Sequence, residues 1–439
     1  MNAFFLRINT MFSKGNLVRN VALLVGGNVM GQGLLIIASP IITRLYSPDD
    51  FGTLTLYTTL LSLISMVVAL RYDLAIPLPV EDQSAANLLA LAIMIVTGVS
   101  GSVGVGIYFF ADEIADLVNA PYLASYLWLL PFSLFGIGVY QTLNFWALRK
   151  QAYQEIAKTK LSQSISLISL QLLFGWLQFK PLGLLLGDVA GRMGGSGSLC
   201  ALILRKDRAV LRGVSWHGIR QEARRYRRFP LISSWGTLVQ SAVLQCPPLI
   251  LAFYYETEVV GWFGIGERVI GLPMTMLGAS ISQVLLVELA TLAKTDPDRL
   301  PELFGKILKI MLGIGLVVVA PLVLVAPWLF TYVFGDEWGQ SGLYLQILSI
   351  SIILQFAASP LRWFLEVLER QDLFMNREVV KALLMVGVTI LIHVYECQAV
   401  TAIVLFSTAI SMGHAYGIFL GWRAIKCARF QKNMLEEPA

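Results

Sequence analysis

The sequence predicts an all-α integral membrane protein with about twelve transmembrane helices, and three observations support this fold class. Of the 439 residues, 56% are hydrophobic and only 14% are charged, whereas soluble domains carry about 25% charged residues. Apolar runs of about 20 residues, the length that crosses a bilayer, recur along the chain. Lysines and arginines are concentrated in alternate connections between these runs, as in multi-pass membrane proteins.

Each apolar run is predicted to form one membrane-spanning helix. The twelve predicted spans are residues 17–43, 52–78, 86–110, 122–148, 158–179, 183–204, 230–254, 260–291, 304–334, 342–367, 379–397 and 398–422. A very short hairpin at "YECQAV", residues 395–400, separates the last two spans. No polar stretch between the spans is long enough to fold as a separate soluble domain.

The distribution of cations predicts the orientation of the chain. Twenty-seven of the 33 lysines and arginines lie on the side that holds the N-terminus, and two, Arg44 and Lys180, lie in the opposite connections. Cytoplasmic connections retain such residues, so both termini are predicted to be cytoplasmic. The imbalance explains the net charge of +5 without a nucleic-acid partner. The dense "RRYRR" at 224–228 is interpreted as a loop that sets topology, with an RNA or anionic-lipid patch as the alternative.

Internal similarity predicts two halves. At an offset of 208 the chain matches itself in three pairs, which are Gln32 with Gln240, Pro40 with Pro248, and Tyr46 with Tyr254. We expect an N-terminal six-helix bundle at 1–204, a basic cytoplasmic linker at 205–229 and a C-terminal six-helix bundle at 230–439. Two even-numbered halves enter the membrane from the same side, so a pseudo-two-fold axis along the membrane normal should relate them. That arrangement favours transport over a duplicated scaffold without transport.

Catalytic and metal-binding motifs are missing from the sequence. It contains no HExxH, GxSxG or GxxxxGK[ST] pattern, and its four cysteines form no CxxC or Cys/His cluster. The connections on the outer side are too short for a catalytic domain. We therefore expect no enzymatic activity, no metal and no cofactor, and the charges inside the spans become the candidate site.

A charge in the hydrocarbon region costs at least about 2.5 to 3.5 kcal/mol, so it normally faces a bundle interior or a wet cavity. The candidates within the spans are Arg71 with Asp73, Asp188 with Arg192, Glu267 with Arg268, and Arg362. Asp188 and Arg192 are spaced i,i+4 and share one helix face, which predicts either a structural ion pair or a substrate contact. Glu267 and Arg268 lie near the outer face, and Arg362 lies near the cytoplasmic end of its span, where snorkelling is the alternative.

Arg71 lies roughly 30 Å along the second span, near its predicted cytoplasmic end. In a regular helix Arg71 and Asp73 point about 200° apart, so they cannot share one face. Pro77 and Pro79 weaken the helix beside them. We expect Arg71 to face the cavity and Asp73 to contact a neighbouring span or the loosened backbone. Asn28 and Gln32, also i,i+4, could bind a sugar, with ordinary helix packing as the alternative.

One stretch carries a family resemblance. The segment "ASPIITRLYSPDDFGTLTLYTTLLSLISMVVALRYDLAIPLP", residues 38–79, followed by "NLLALAI", resembles the start of bacterial polysaccharide biosynthesis flippases, the oligosaccharide flippases of the multidrug/oligosaccharidyl-lipid/polysaccharide exporter superfamily. The matching positions are Arg44, Tyr46, Pro48, Phe51, Gly52, Arg71, Tyr72, Asp73, Ala75 and Ile76. Beyond residue 100 the likeness is one of layout.

The resemblance implies a flippase that moves an undecaprenyl-pyrophosphate-linked oligosaccharide from the cytoplasmic to the periplasmic leaflet of the bacterial inner membrane by alternating access. The product would serve O-antigen (lipopolysaccharide), capsule or exopolysaccharide assembly. Arginine suits pyrophosphate because its planar fork binds oxygens in pairs. The expected substrate contacts are Arg71, Arg192, Arg268, Arg362, Asn28 and Gln32, and the expected acidic or coupling residues are Asp73, Asp188 and Glu267.

Expected partners follow from this assignment. They are the lipid-linked oligosaccharide, membrane lipids and a polysaccharide polymerase, with no nucleic acid, and the protein is expected to act as a monomer. Two alternatives stay open. A drug or cation antiporter of the same superfamily would rely on an acidic site, and a membrane enzyme of polysaccharide assembly would need periplasmic carboxylates or histidines.

Overall fold

The computed structural model of the chain is α-helical throughout its described part. It describes residues 14–436 apart from 228, 272, 276, 279–280, 283–284, 286–288, 290–291, 293–296 and 369. No β-strand occurs in these residues. Two compact units divide the chain, Met1–Gln245 and Cys246–Ala439.

The first unit contains the helices up to residue 245. They are α1 (Lys14–Leu45), α2 (Pro48–Ser65), α3 (Asp82–Leu117), α4 (Leu130–Arg149), α5 (Tyr153–Trp176), α6 (Leu182–Met193), α7 (Ser196–Lys206), α8 (Arg208–Arg212), α9 (Trp216–Arg225) and the first part of α10 (Ser234–Tyr254). Helix α5 packs along α1 and α6, and α3 packs along α4. Trp146 and Tyr72 help to form a buried core where the end of α4 meets the start of α3.

The second unit holds the end of α10 and the later helices. They are α11 (Thr257–Gly266), α12 (Leu300–Phe334), α13 (Gly339–Val367), α14 (Gln371–Tyr395) and α15 (Ala399–Glu436). Helix α13 packs against both α12 and α15, and α14 packs against α15. Fully buried aromatic side chains such as Phe304, Phe356 and Phe364 fill the interior of this unit. Between α14 and α15 only residues 396–398 form the hairpin, as the sequence predicted.

Seven helical segments of the described residues are long and apolar enough to cross a membrane. They are Gly26–Leu45, Asp82–Leu117, Pro121–Arg149, Leu300–Phe334, Asp336–Val367, Asp372–Tyr395 and Ala399–Lys426. Ser241–Tyr254 is a shorter apolar helix. The all-α membrane fold predicted from the sequence is confirmed.

The second predicted span, residues 52–78, is not one continuous helix. Helix α2 starts with a capping box in which Ser47 and Asp50 exchange hydrogen bonds, and it ends at Ser65. Leu70 and Arg71 then adopt left-handed backbone conformations, with φ of 46° and 63°, which cannot continue a right-handed helix. A short 3₁₀ turn follows at Tyr72–Ala75. Arg71 therefore lies beyond the end of α2 rather than on its surface.

The carbonyl groups freed by this break are bound by α4. The Arg149 guanidinium donates to the carbonyl oxygens of Pro77, Pro79 and Val80, and it pairs with Asp82 at 2.9 Å. Proline cannot donate a backbone hydrogen bond, so this segment needs an outside donor for its acceptors. Arg149 holds the segment against the cytoplasmic end predicted for α4.

Four other predicted spans also have different bounds. The sixth span is two helices, because Gly194 and Gly195 separate α6 from α7 and Gly195 is left-handed. The fifth span starts at Tyr153 rather than 158, and the eleventh starts at Gln371 rather than 379. The eighth span is described as α11 and a π-helical turn at Glu267–Gly271, and much of the rest of its predicted length lies outside the described residues.

Candidate functional site: charges buried in the two units

The candidate site draws on four groups of charged side chains among the described residues, and the Asp188–Arg192 pair is the first. Both residues lie on α6, and Arg192 Nε donates to Asp188 Oδ2 one helical turn away, as their spacing predicted. Asp188 is 8% exposed. Tyr57, on α2, feels the electrostatic field of both charges, and its hydroxyl is hydrogen bonded to Ser133 at 2.7 Å. The two charges cancel within the first unit.

Lys160 has no counter-charge among the described residues. It lies on the second turn of α5, and its ammonium is 4.7 Å from the centre of the Tyr140 ring. The Tyr140 hydroxyl is fixed by a hydrogen bond to Thr159 at 2.9 Å. Gln163 Oε1 lies 3.4 Å from the ammonium, but no carboxylate of the described residues lies within ion-pair distance. An aromatic face and a neutral amide stabilise this cation without cancelling its charge.

Two residues before it, Lys158 has the opposite environment. Its side chain is 70% exposed, and its ammonium lies 3.3 Å from Glu155. Two residues on a helix point about 200° apart, so the same helix presents one lysine outward and the other inward. Lys158 is therefore a natural control for Lys160.

Arg71 is also held without an ion pair in the described structure. Its Nε atom is buried and has no hydrogen-bond partner among the described residues. Asp73, 5% exposed, feels the positive charge of Arg71, although the two carboxylate oxygens do not come within ion-pair distance of it. The neighbouring Tyr72 hydroxyl donates to the Ala223 carbonyl oxygen at 2.9 Å, which anchors the segment to α9.

The second unit contains a larger group, which we call the α14 cluster: Arg377, Glu378 and Lys381. Arg377 Nη2 lies 2.7 Å from Glu378 Oε1, and Lys381 Nζ lies 3.7 Å from the same oxygen. Arg377 and Glu378 are each 7% exposed. Two cations share one carboxylate, so the cluster keeps a net charge of +1. Arg362 repels Lys381 electrostatically and so adds to this positive field.

Helix α15 has glycines where the α14 cluster needs room. A Cβ atom on Gly417 would lie 2.7 Å from Arg377 Cδ, and one on Gly413 would lie 2.7 Å from Lys381 Cγ. Glycines four residues apart thus let two long cationic side chains, also four residues apart, lie against α15. His414, between them, feels the positive charges of Arg377 and Lys381.

The other predicted site residues are placed separately. Asn28 and Gln32 are partly buried on α1, and neither forms a side-chain hydrogen bond with another described residue. Glu267 is exposed on the π-helical turn, and the partly buried Arg268 follows it. Arg362 stacks on Trp363, with the guanidinium carbon 4.9 Å from the ring centre. Of the predicted residues, the structure joins Asp188 to Arg192 by an ion pair and brings Arg362 within the field of the α14 cluster.

Four residues of the candidate site were not predicted from the sequence, namely Lys160, Arg377, Glu378 and Lys381. Predicted spans that began too late placed Lys160 at the edge of its span and Arg377 in a cytoplasmic connection. One signal was available. Arg377, Glu378 and Lys381 stand in "REVVK" with i,i+3 and i,i+4 spacing, which extends the helix toward its N-terminus.

Among the described residues, no three histidine, cysteine or acidic side chains are arranged to hold a metal ion. What the buried groups offer is positive charge. An uncompensated ammonium or guanidinium in a low-dielectric environment attracts a desolvated anion far more strongly than it would in water.

Solved structures of known proteins share this fold. An inward-facing multidrug resistance MATE family transporter of the MOP superfamily matches with a TM-score of 0.75 at 15% identity, covering 93% of this chain and 99% of that one. The lipid II flippase MurJ, in an inward closed conformation, matches with a TM-score of 0.69 at 12% identity, covering 90% and 87%. The chain therefore shares its overall fold with these two proteins.

Sequence comparison identifies the family to which the chain belongs. Residues 41–343 match the family described as "Polysaccharide biosynthesis protein", and the chain belongs to that family. The succinoglycan biosynthesis transport protein ExoT of Rhizobium meliloti (strain 1021) is 24% identical over 350 residues. That alignment covers 74% of this chain and 65% of ExoT, so the chain spans just under two thirds of the length of this relative. The predicted membership of a polysaccharide biosynthesis family is confirmed.

Proposed function

We propose that the protein moves an oligosaccharide linked to undecaprenyl pyrophosphate from the cytoplasmic to the periplasmic leaflet of a bacterial inner membrane, by alternating access. The translocated unit would feed assembly of O-antigen, capsule or exopolysaccharide. Membership of a polysaccharide biosynthesis family supports the pathway, and a fold shared with a lipid II flippase supports the kind of transport. ExoT, named for succinoglycan transport, supports exopolysaccharide in particular.

Uncompensated positive charge on the helices of the protein carries the proposal. Lys160 has no carboxylate partner among the described residues, and the α14 cluster holds two cations against one acid. Each such charge is costly in a bilayer, and a structural role alone would favour paired or apolar side chains. A pyrophosphate group supplies the missing negative charge, and it cannot cross hydrocarbon unless that charge is offset.

The predicted contacts extend this picture. Arg71, Arg192, Arg268 and Arg362 are proposed to contact pyrophosphate or sugar, and Asn28 and Gln32 to bind sugar hydroxyls. Arg71 is the strongest of these, because its buried Nε lacks a partner among the described residues. Arg192 is weaker, because Asp188 already neutralises it. Asp73, Asp188 and Glu267 are proposed as acidic or coupling residues.

The matched lysines of α5 provide the main test. A strain lacking the gene is complemented with the wild type, Lys160→Met or Lys158→Met, and surface polysaccharide is measured together with protein abundance. We expect Lys160→Met to lose at least 90% of the polysaccharide, and Lys158→Met to retain nearly all of it. Lipid-linked oligosaccharide should accumulate on the cytoplasmic leaflet in the first strain. Equal polysaccharide from both variants at equal abundance would refute a transport role for the Lys160 charge.

A second comparison addresses the α14 cluster. Lys381→Met leaves the Arg377–Glu378 pair intact and removes the excess charge, whereas Arg370→Gln removes an exposed cation paired with Asp372. The first variant should lose polysaccharide and the second should not. Lys381→Arg, which keeps the charge, should restore most of the product, a result that a purely steric role of Lys381 does not predict.

Arg71→Ala is expected to abolish surface polysaccharide while protein abundance stays unchanged. Normal polysaccharide in that variant would remove Arg71 from the proposed site. The protein is further proposed to act as a monomer in the inner membrane with both termini in the cytoplasm, and to supply a polysaccharide polymerase.

A drug or cation antiporter is the second candidate, because the MATE transporter shares the fold and Glu267 presents an exposed carboxylate on a π-helical turn. This function predicts that Glu267→Gln lowers resistance of an efflux-deficient strain to cationic drugs. Unchanged resistance on deletion of the whole gene, with loss of polysaccharide, would decide for the flippase.

A further inference from the structure

The connection between α7 and α10 forms a surface with one sign of charge. All eight lysines and arginines from Arg205 to Arg227 have exposed side chains, and none of them is ion-paired in the described part of the chain. We call residues 205–227 the basic platform. A loop that only sets membrane topology needs these cations in its composition, but it does not need them on an ordered, outward-facing surface.

Both acids of the basic platform are withdrawn from that surface. Asp207 accepts a hydrogen bond from Trp146 Nε1 at 2.9 Å and lies 3.3 Å from the Lys150 ammonium. Glu222 is 3% exposed. Neither carboxylate can therefore neutralise the outward-facing arginines. The positive charge of the basic platform therefore remains available to a negatively charged binding partner.

Helix α9 has one buried face and one exposed face. Ile219 is 7% exposed and packs inward together with Glu222, whereas Trp216 is 68% exposed. Trp216, Arg220 and Arg224 are spaced i,i+4,i+8 and form one outward row. A large indole ring beside two guanidinium groups is typical of helices that lie in the interface between water and lipid.

Contacts with α3 place this row beside the start of a candidate membrane span. The Ser215 backbone N–H donates to Asn87 Oδ1 at 3.2 Å, and α9 packs along the first turns of α3. Helix α3 starts at Asp82, and from Leu88 it carries no charged residue before Asp112. The uncharged part of this candidate span thus begins next to Asn87, so the row on α9 lies beside the polar start of the span rather than along its apolar length.

We propose that the basic platform binds the phosphate headgroups of anionic phospholipids in the surrounding membrane, with Trp216 inserted beside the upper part of the acyl chains. This site is separate from the buried charges of the proposed transport function and does not depend on it. Phosphate contact explains the exposed arginines, and a position at the bilayer edge with an exposed indole favours a lipid over RNA. Binding by exposed cations should weaken as salt rises.

The test uses the full-length protein in dodecyl maltoside, titrated with dioctanoyl phosphatidylglycerol and, separately, with zwitterionic dioctanoyl phosphatidylcholine. Arg220→Gln combined with Arg224→Gln should weaken phosphatidylglycerol binding about 25-fold, at about fivefold for each lost charge. The matched control combines Lys306→Gln with Lys309→Gln, which removes two exposed cations from α12. The control should leave the affinity within about twofold of the wild type.

Two further titrations identify the ligand. Inorganic phosphate should bind at least tenfold more weakly than phosphatidylglycerol, and Trp216→Ala should weaken the lipid titration but not the phosphate titration. Equal affinity for the two phospholipids, or an equal loss in the α12 control, would overturn the proposal. Binding of inorganic phosphate as tight as that of the lipid would make the platform a free-phosphate site. A 20-nucleotide RNA that binds more tightly than phosphatidylglycerol in the same buffer would make it a nucleic-acid surface.

Discussion

The buried charges of α6 and of α14 are neutralised to different extents. On α6, Asp188 and Arg192 form a pair with no net charge. On α14, one carboxylate on Glu378 serves two cations, so positive charge remains. A pair without net charge on one helix can be explained by structure alone. A cluster that keeps a charge it could have cancelled is better explained by a ligand than by packing.

This difference predicts unequal consequences when single charges are removed. In the neutral pair, loss of either member leaves the other uncompensated. In the α14 cluster, loss of Glu378 leaves two cations facing each other, whereas loss of Lys381 leaves a complete pair. The variants below test the comparison, beginning with the largest expected effect.

Glu378→Gln should lower the free energy of unfolding by about 3 to 5 kcal/mol, because Arg377 and Lys381 lose their shared counter-charge in a buried site. Asp188→Asn should cost somewhat less, because Arg192 is 29% exposed at its side chain. Both losses of stability are measured by thermal unfolding of the purified proteins in one detergent, with size-exclusion chromatography as the readout.

Double variants separate the two arrangements. Asp188→Asn with Arg192→Gln should recover most of the lost stability, because no charge is left. Glu378→Gln with Lys381→Met should recover only part of it, because Arg377 still lacks a partner. Full recovery in the second double variant would show that the charge of Arg377 is compensated without Glu378. The cluster would then have no excess charge.

Gly417→Leu tests whether the cationic side chains depend on the shape of α15. Its side chain would collide with Arg377, and overpacking of this kind costs about 1 to 3 kcal/mol. Gly387→Leu on α14 is the control, because a Cβ atom there has no neighbour within 4 Å. The same melting experiment should show a lower transition temperature for the first variant only. If both variants melt alike, Arg377 does not need the space that Gly417 leaves.

The fold class was predictable from the sequence, but the location of the charges was not. Apolar length and cation distribution are summed over whole segments, so they survive errors in individual bounds. Lys160 and Arg377 lie on the first two turns of their helices, within the uncertainty of any boundary taken from hydropathy. A shift of a few residues in the predicted boundary decides whether a charged residue in these first two turns is assigned to a connection or to a membrane span.

The break after α2 shows a second limit. The prolines at 77 and 79 correctly indicated a weakened helix, but the chain leaves the helix earlier, at Ser65. Neither Leu70 nor Arg71 is a residue type that favours positive φ, so no local signal predicts their left-handed conformations. The conformation depends on tertiary contacts, including Arg149 with the carbonyl groups that follow and Tyr72 with α9. Such strain is maintained only where surrounding contacts compensate for it.

Glu155→Gln gives the smallest expected effect and completes the comparison on α5. It removes the partner of Lys158, whose side chain is 70% exposed, so water replaces the carboxylate and the stability should change by no more than about 0.5 kcal/mol. Surface polysaccharide should also stay normal in a complemented strain. A large loss of stability from this variant would mean that exposure does not distinguish Lys158 from Lys160. The contrast between a solvated pair and an unpaired cation would then no longer support Lys160 as the charge proposed to bind the substrate.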